Sequence, residues 1–148
     1  MKKLLTGIML FLLIPLTSAA GEYSCPAASS SGSLRFDGPV LFRVKGNQVV
    51  LSAKKISNFQ NQTSGDLYLK LWATPSPYSG GEMKGFVMGA GKVGKINAGG
   101  YIQDYEVTVP HSEPSSGTYY FTMTLTEQKK GSETVIDYMP FPKAKNIR

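Results

Sequence analysis

Gly65-Asp-Leu-Tyr-Leu-Lys-Leu-Trp-Ala-Thr74 is the stretch whose reading decides the fold. Side chains alternate along an extended strand, so Leu67, Leu69, Leu71 and Ala73 share one face and Tyr68, Lys70 and Trp72 the other. Gly117-Thr-Tyr-Tyr-Phe-Thr-Met-Thr-Leu-Thr-Glu127 repeats the pattern, with Tyr119, Phe121, Met123 and Leu125 on one face. Two such half-buried strands form the centre of a small β-sandwich. No segment sustains a helical period.

Outward from this centre the chain is punctuated by turns. Leu34–Phe36 and Val40–Val44 are short apolar runs separated by Asp37-Gly38-Pro39, and Gly46-Asn47 turns the chain again. Gln48–Asn58 carries Val49, Leu51 and Ala53 in alternation and then Ile56; the break at Lys54-Lys55 predicts a bulge or a strand switch. Pro75-Ser-Pro-Tyr-Ser-Gly-Gly81 is an irregular loop with one aromatic, Tyr78. Met83–Met88 and Lys92–Ile96 read as two edge strands interrupted by Gly85, Gly89, Gly91 and Gly94. Tyr101–Val109 alternates, with Tyr105, Val107 and Val109 inward; Thr134–Met139 is the last strand, after a Gly131 turn. About seven to nine short antiparallel strands with closely spaced turns give an all-β sandwich.

The ends carry different information. Residues 1–20 read as a cleaved signal peptide: Lys2-Lys3, an apolar run from Leu4 to Leu16, and small residues at Ser18 and Ala20. The chain is therefore expected to be secreted or periplasmic, and no later stretch is apolar enough for a transmembrane helix. Glu22, Tyr23 and Ser24 fit poorly before a lipidated cysteine at Cys25. Residues 21–33 read as a flexible lead, 34–140 as the sandwich and 141–148 as a loose basic tail. Removing the first 20 of 148 residues leaves 128, enough for one domain with a real core. Cys25 is the only cysteine, so no internal disulfide forms; it is a free thiol or a bridge between chains. The net charge of +6 is scattered in short runs, without the interleaved aromatics of a nucleic-acid surface.

Several residues together resemble a family. Gly46-Asn-Gln-Val-Val-Leu-Ser-Ala53, Ile56-Ser-Asn58 and the alternating leucines resemble the opening of bacterial immunoglobulin-like domains of the cell-adhesion-related (CARDB-like) type. Pro114-Ser-Ser-Gly-Thr-Tyr-Tyr120 is similar to the corner before the sixth strand of such domains. The resemblance implies that Tyr119 is the corner tyrosine, tying its hydroxyl to nearby backbone, and that Phe121 replaces the second core cysteine. It also implies that the two central strands are neighbours. Trp72, out of phase with the leucines, is then not the buried tryptophan of antibody domains.

Chemistry is sparse. His111 is the only histidine and lies in a polar corner expected to be exposed, and Asp104 and Glu106 are read as a solvated strand face. No catalytic, cofactor or metal set is expected. The candidate binding face is Tyr68, Lys70 and Trp72 beside Tyr120, Thr122 and Thr124; the candidate binding loop is Pro75, Pro77 and Tyr78. The expected function is a non-catalytic module binding a protein or surface glycan. The alternatives are a structural protein pairing through edge strands or Cys25, and an enzyme.

Overall fold

The computed structural model describes residues 32–148 and the backbone of residues 22–25. The expected signal peptide and most of the expected flexible lead lie outside the described residues. All regular structure among these residues is β: β1 (Glu22–Cys25), β2 (Leu34–Phe36), β3 (Val40–Lys45), β4 (Gln48–Asn58), β5 (Asp66–Thr74), β6 (Met83–Gly94), β7 (Tyr101–Pro110), β8 (Gly117–Lys129), β9 (Ser132–Pro140) and β10 (Lys145–Ile147).

The larger sheet runs β1-β6-β5-β8-β10, with β9 also on β8; the smaller has β4 between β7 and the pair β2 and β3. Every pairing is antiparallel. Numbering the strands of an immunoglobulin-like sandwich from A, β4–β7 is its B–E pair and β5–β8–β9 its C–F–G run. Leu67, Leu69, Leu71 and Ala73 of β5 are sealed between the sheets with Phe121, Met123 and Leu125 of β8. Each buried leucine contributes roughly 1.5–3 kcal/mol relative to an exposed one. Tyr119 Oη donates to the Ser115 carbonyl at 2.9 Å, the tie expected of the corner tyrosine.

The break at Lys54-Lys55 is a strand switch combined with a reversal of phase. Val40 pairs with Ala53 but Phe36 with Ile56, so β2 and β3 together carry one residue more than β4 between those pairs. On the other side of β4 the register with β7 is continuous, yet Ala53 and Tyr105 face the core and so do Ile56 and Ile102. Both strands turn over within three residues. Asp104 takes up the turn in the left-handed region, with φ +53°. The exposed Lys54–Asp104 ion pair across the kink contributes about 0–1 kcal/mol, less than the burial of Ile56 and Ile102 that the reversal permits.

The reversal also turns Asn58 inward, where it is fully buried. Its Nδ2 donates to the carbonyls of Gln62 and Ile96, both at 2.9 Å, and Asn97 at 3.2 Å; its Oδ1 accepts from the Gln60 amide at 3.0 Å. Ser64 adds a hydroxyl that accepts from the Ile96 amide at 2.9 Å. These bonds close one end of the sandwich and satisfy the buried Asn58 side chain, while the neighbouring Gln60 Oε1 is buried without a partner.

Three segments differ from the sequence reading. The two glycine-rich edge strands are one strand, β6, bulged near Leu67/Tyr68 and Leu71/Trp72 of its partner. Two of its glycines, Gly89 and Gly91, answer a close approach of the sheets and do not mark turns. A Cβ at Gly89 would lie 2.6 Å from Val49 Cγ1, and one at Gly91 would collide with Val107 Cγ1. Tyr105 Oη donates to the Lys92 carbonyl across the same seam, and burial pushes its phenol pKa up, which keeps it a donor. Residues 141–148 are not a loose tail: β10 pairs with Gly117–Tyr119 of β8, and Phe141 packs edge-on to Phe42 at 4.8 Å. Within the lead, Glu22–Cys25 pairs with Met83–Phe86.

Two outcomes follow for stability in urea. Gly91→Ala destabilises by about 1–3 kcal/mol through overpacking, and adding Val107→Ala recovers part of the loss. Asp104→Val costs about 1–2 kcal/mol because a β-branched residue resists the left-handed conformation, whereas Asp104→Gly stays within about 0.5 kcal/mol of the parent.

Candidate functional site

The adjacency of β5 and β8 puts the proposed face together in register: Lys70 opposite Thr124, Trp72 opposite Thr122 and Thr74 opposite Tyr120. The openness expected of that face holds only in part. Trp72 and Thr122 are 1% exposed and Thr124 is fully buried, so these three form no accessible surface. Trp72 is the centre of a second apolar cluster with Met83 and Val135, flanked by Tyr78 and Val87. Its indole Nε1 donates to Thr124 Oγ1 at 2.7 Å, which satisfies the buried donor.

The candidate loop supplies part of the cover. Thr74 Oγ1 donates to the Ser76 carbonyl at 2.7 Å and Tyr78 Oη to the Gly81 carbonyl at 2.6 Å. Gly80 and Gly81 adopt positive φ of 111° and 82°, which lets the chain fold back over the sheet. The Tyr78 ring meets Tyr138 edge-on at 4.6 Å. Tyr78 is thus half-buried against the sheet, while Pro75 and Pro77 stay exposed.

Farther along β5 the face opens. Tyr68 lies between Lys92 of β6 and Thr126 of β8, and Lys70 lies beside Ala90. The small Ala90 side chain leaves a shallow depression of 460 Å³ lined by Tyr68, Lys70, Ala90, Lys92, Gln128 and Glu133. Lys70 Nζ and Glu133 Oε1 pair at 2.5 Å, and Thr126 Oγ1 donates to the same carboxylate at 2.8 Å. Lys92 Nζ lies 3.6 Å from Asp66. The site therefore presents a half-buried aromatic ring ringed by fixed donors and acceptors of both charges. The sequence placed Tyr68 and Lys70 here; Lys92, Gln128 and Glu133 come from other strands, and only the sheet register brings them in.

A second surface lies on the outer face of the smaller sheet. The phase reversal turns Lys55 and Ser57 to the outer face, where Ser57 is itself buried, and Ser57 pairs with Arg35 on one side and Tyr101 on the other. Phe59 and Tyr101 are 56% and 59% exposed. The Arg35 guanidinium sits 4.5 Å from the Phe59 ring centroid and Lys55 Nζ 4.5 Å from that of Tyr101.

His111 is not the exposed residue the sequence suggests. The imidazole is 5% exposed because the chain crosses between the sheets there, with the His111 amide bonded to the Asn47 carbonyl and the Ser112 amide to Met88. Its Nε2 lies 3.5 Å from Glu113, and its Nδ1 is buried without a hydrogen-bond partner. Asp104 and Glu106 are both exposed, as a solvated strand face requires, and line one shallow depression beside Lys54, with Asp104 at the kink. Among the described residues no group of three or more His, Cys, Asp or Glu is arranged to hold a metal ion. No described helix is long and apolar enough to cross a membrane. No protein-family model matches the chain, and no curated protein matches its sequence.

Burial of the sole tryptophan has a direct optical consequence. Trp72 emission is blue-shifted and resists acrylamide quenching in the folded chain, and Tyr78→Ala shifts it to the red and raises its quenching. An exposed emission spectrum in the parent contradicts the sealed cluster.

Proposed function

We propose that this chain is an exported, non-catalytic binding module that recognises a glycan through the depression around Tyr68 on the larger sheet. The carrying observation is the pairing of a half-exposed aromatic ring with Lys70, Lys92, Gln128 and Glu133 at its margin. An aromatic ring offers apolar area to the C–H face of a sugar, and its polar neighbours offer hydrogen bonds to the hydroxyls. Ion pairing to Glu133 and a strand backbone on either side hold Lys70 in place, which lowers the ordering cost of binding. The signal-like residues 1–20 support export.

Edge-strand assembly has less support. The Lys92 and Met88 carbonyls of β6 are occupied by Tyr105 Oη and the Ser112 amide, and exposed Arg43 and Lys45 guard β3. Catalysis has less still, because the sole histidine is enclosed beside Glu113.

Affinity electrophoresis against soluble glucans, xylans, uronans and chito-oligosaccharides tests the reading. At least one class retards the protein; Tyr68→Ala weakens that interaction about tenfold or more. Leu41→Ala, a 64% exposed residue on the other sheet, leaves it unchanged. Retardation that is indifferent to Tyr68, or none across the panel, overturns the assignment.

A further inference from the structure

We propose a second binding surface, for an acidic segment of a protein partner, on the outer face of the smaller sheet around Arg35 and Phe59. It lies on the opposite sheet from the Tyr68 depression and does not rest on the glycan reading.

The surface begins with backbone that is held in place. Asn58 is locked by four hydrogen bonds of its side chain, and the Phe59 amide donates to the Ser33 carbonyl at 2.6 Å. Phe59 is thereby turned away from the core although it is among the most apolar side chains, and more than half of it faces solvent. On the same face, Tyr101 projects from the start of β7. Phe59 follows the last residue of β4 and Tyr101 pairs with Ser57 of that strand, and two large exposed aromatics, each with a cation over its ring, have the composition of a protein-recognition hot spot.

The charges select the occupant. Among the described residues Arg35 contacts no carboxylate; its one polar contact is Nη1 to the Gly32 carbonyl at 3.4 Å. The planar fork is held by the Phe59 ring and retains donors for a carboxylate, a geometry suited to bidentate pairing. Lys55 is less available, because Asp37 lies 3.9 Å from its ammonium and also accepts from Ser57 Oγ at 2.9 Å. Arg35 is therefore the anchor and Lys55 an accessory cation. The cations sit over ring faces that a sugar would need for stacking, so a carboxylate-bearing peptide, with apolar side chains against the ring edges, fits better than a glycan. Without Lys2 and Lys3 of the signal-like residues 1–20 the chain has 14 basic and 10 acidic residues, and this net charge of +4 adds favourable long-range attraction for such a partner.

The test is fluorescence anisotropy of a labelled peptide of glutamates interspersed with leucines, titrated with the purified chain at low and high salt. Binding at low salt that weakens with salt is expected. Arg35→Gln and Phe59→Ala each weaken it about tenfold, and Arg35→Lys, which keeps the charge but not the fork, weakens it by about threefold. Lys143→Gln, which removes one exposed charge from the C-terminal segment, leaves it unchanged. Thermal melts check each variant; if Phe59→Ala melts early, the Arg35→Lys and Arg35→Gln pair decides. The proposal is overturned if no binding occurs at low salt, or if Lys143→Gln weakens binding as much as Arg35→Gln. It is also overturned if a soluble polyuronate displaces the peptide and shows the same dependence on Arg35 and Phe59.

Discussion

The reversal of phase shared by β4 and β7 at Lys54 and Asp104 is the constraint on which the smaller sheet depends. A regular ladder continued past Ala53 and Tyr105 would turn Ile56, Asn58 and Ile102 toward solvent. Turning both strands over together keeps the apolar residues in the core and delivers Asn58 to the end of the sandwich, where it ties the segments on either side of β5 and β6. The same turn explains why the first strand is split. One extra residue between Phe36 and Val40 absorbs the mismatch, and Gly38 lies where a Cβ would come within 3.1 Å of Lys54 Cβ. Side-chain burial worth a few kcal/mol outweighs the smaller cost of one aspartate in a left-handed conformation.

The larger sheet shows a different balance on its outer face. Near the end of β5, Trp72 recruits Met83, Val135 and the folded-back residues 75–82 and becomes core. At the start of β5, Tyr68 and Lys70 lie beside Lys92 and the small Ala90 on one side and Thr126 and Thr124 on the other, and line the open depression. One column of outward residues is thus divided into a sealed half that stiffens the sheet and an open half that offers polar and aromatic groups. Recognition sites need such backing, because side chains fixed by a rigid sheet lose less freedom on binding than those on a loop. The smaller sheet reaches a similar arrangement by holding Phe59 and Tyr101 outward under their cations.

What was legible in the sequence was whatever depends on strand period. Leu67, Leu69 and Leu71 announce a buried face, and the glycine before Tyr119 announces the corner, because both signals are local. The neighbourhood of β5 and β8 followed from the immunoglobulin-like resemblance, and the pairing of Trp72 with Thr122 agrees with it. The burial of Trp72 was not legible, since its cover comes from Val135, far along the chain. Gly89 and Gly91 carry the same composition as turn glycines, and only the positions of Val49 and Val107 reveal that they admit the opposite sheet. Arg35 and Phe59 are separated by β3 and β4, so their stacking is a product of the fold. Of the Tyr68 site, two residues could be read from one strand and the others required the register.

The division of the larger sheet's outer face into a sealed and an open half, with the open half as the binding surface, is tested most directly by amide NMR. The labelled chain is titrated with cello-, xylo-, chito- and uronic-acid oligosaccharides. The account predicts that one of these moves the resonances of Tyr68, Lys70, Ala90, Lys92 and Gln128 while those of Trp72, Thr122 and Thr124 stay still. Shifts confined to the 75–81 loop or to the smaller sheet, or no shifts with any of the sugars, contradict it.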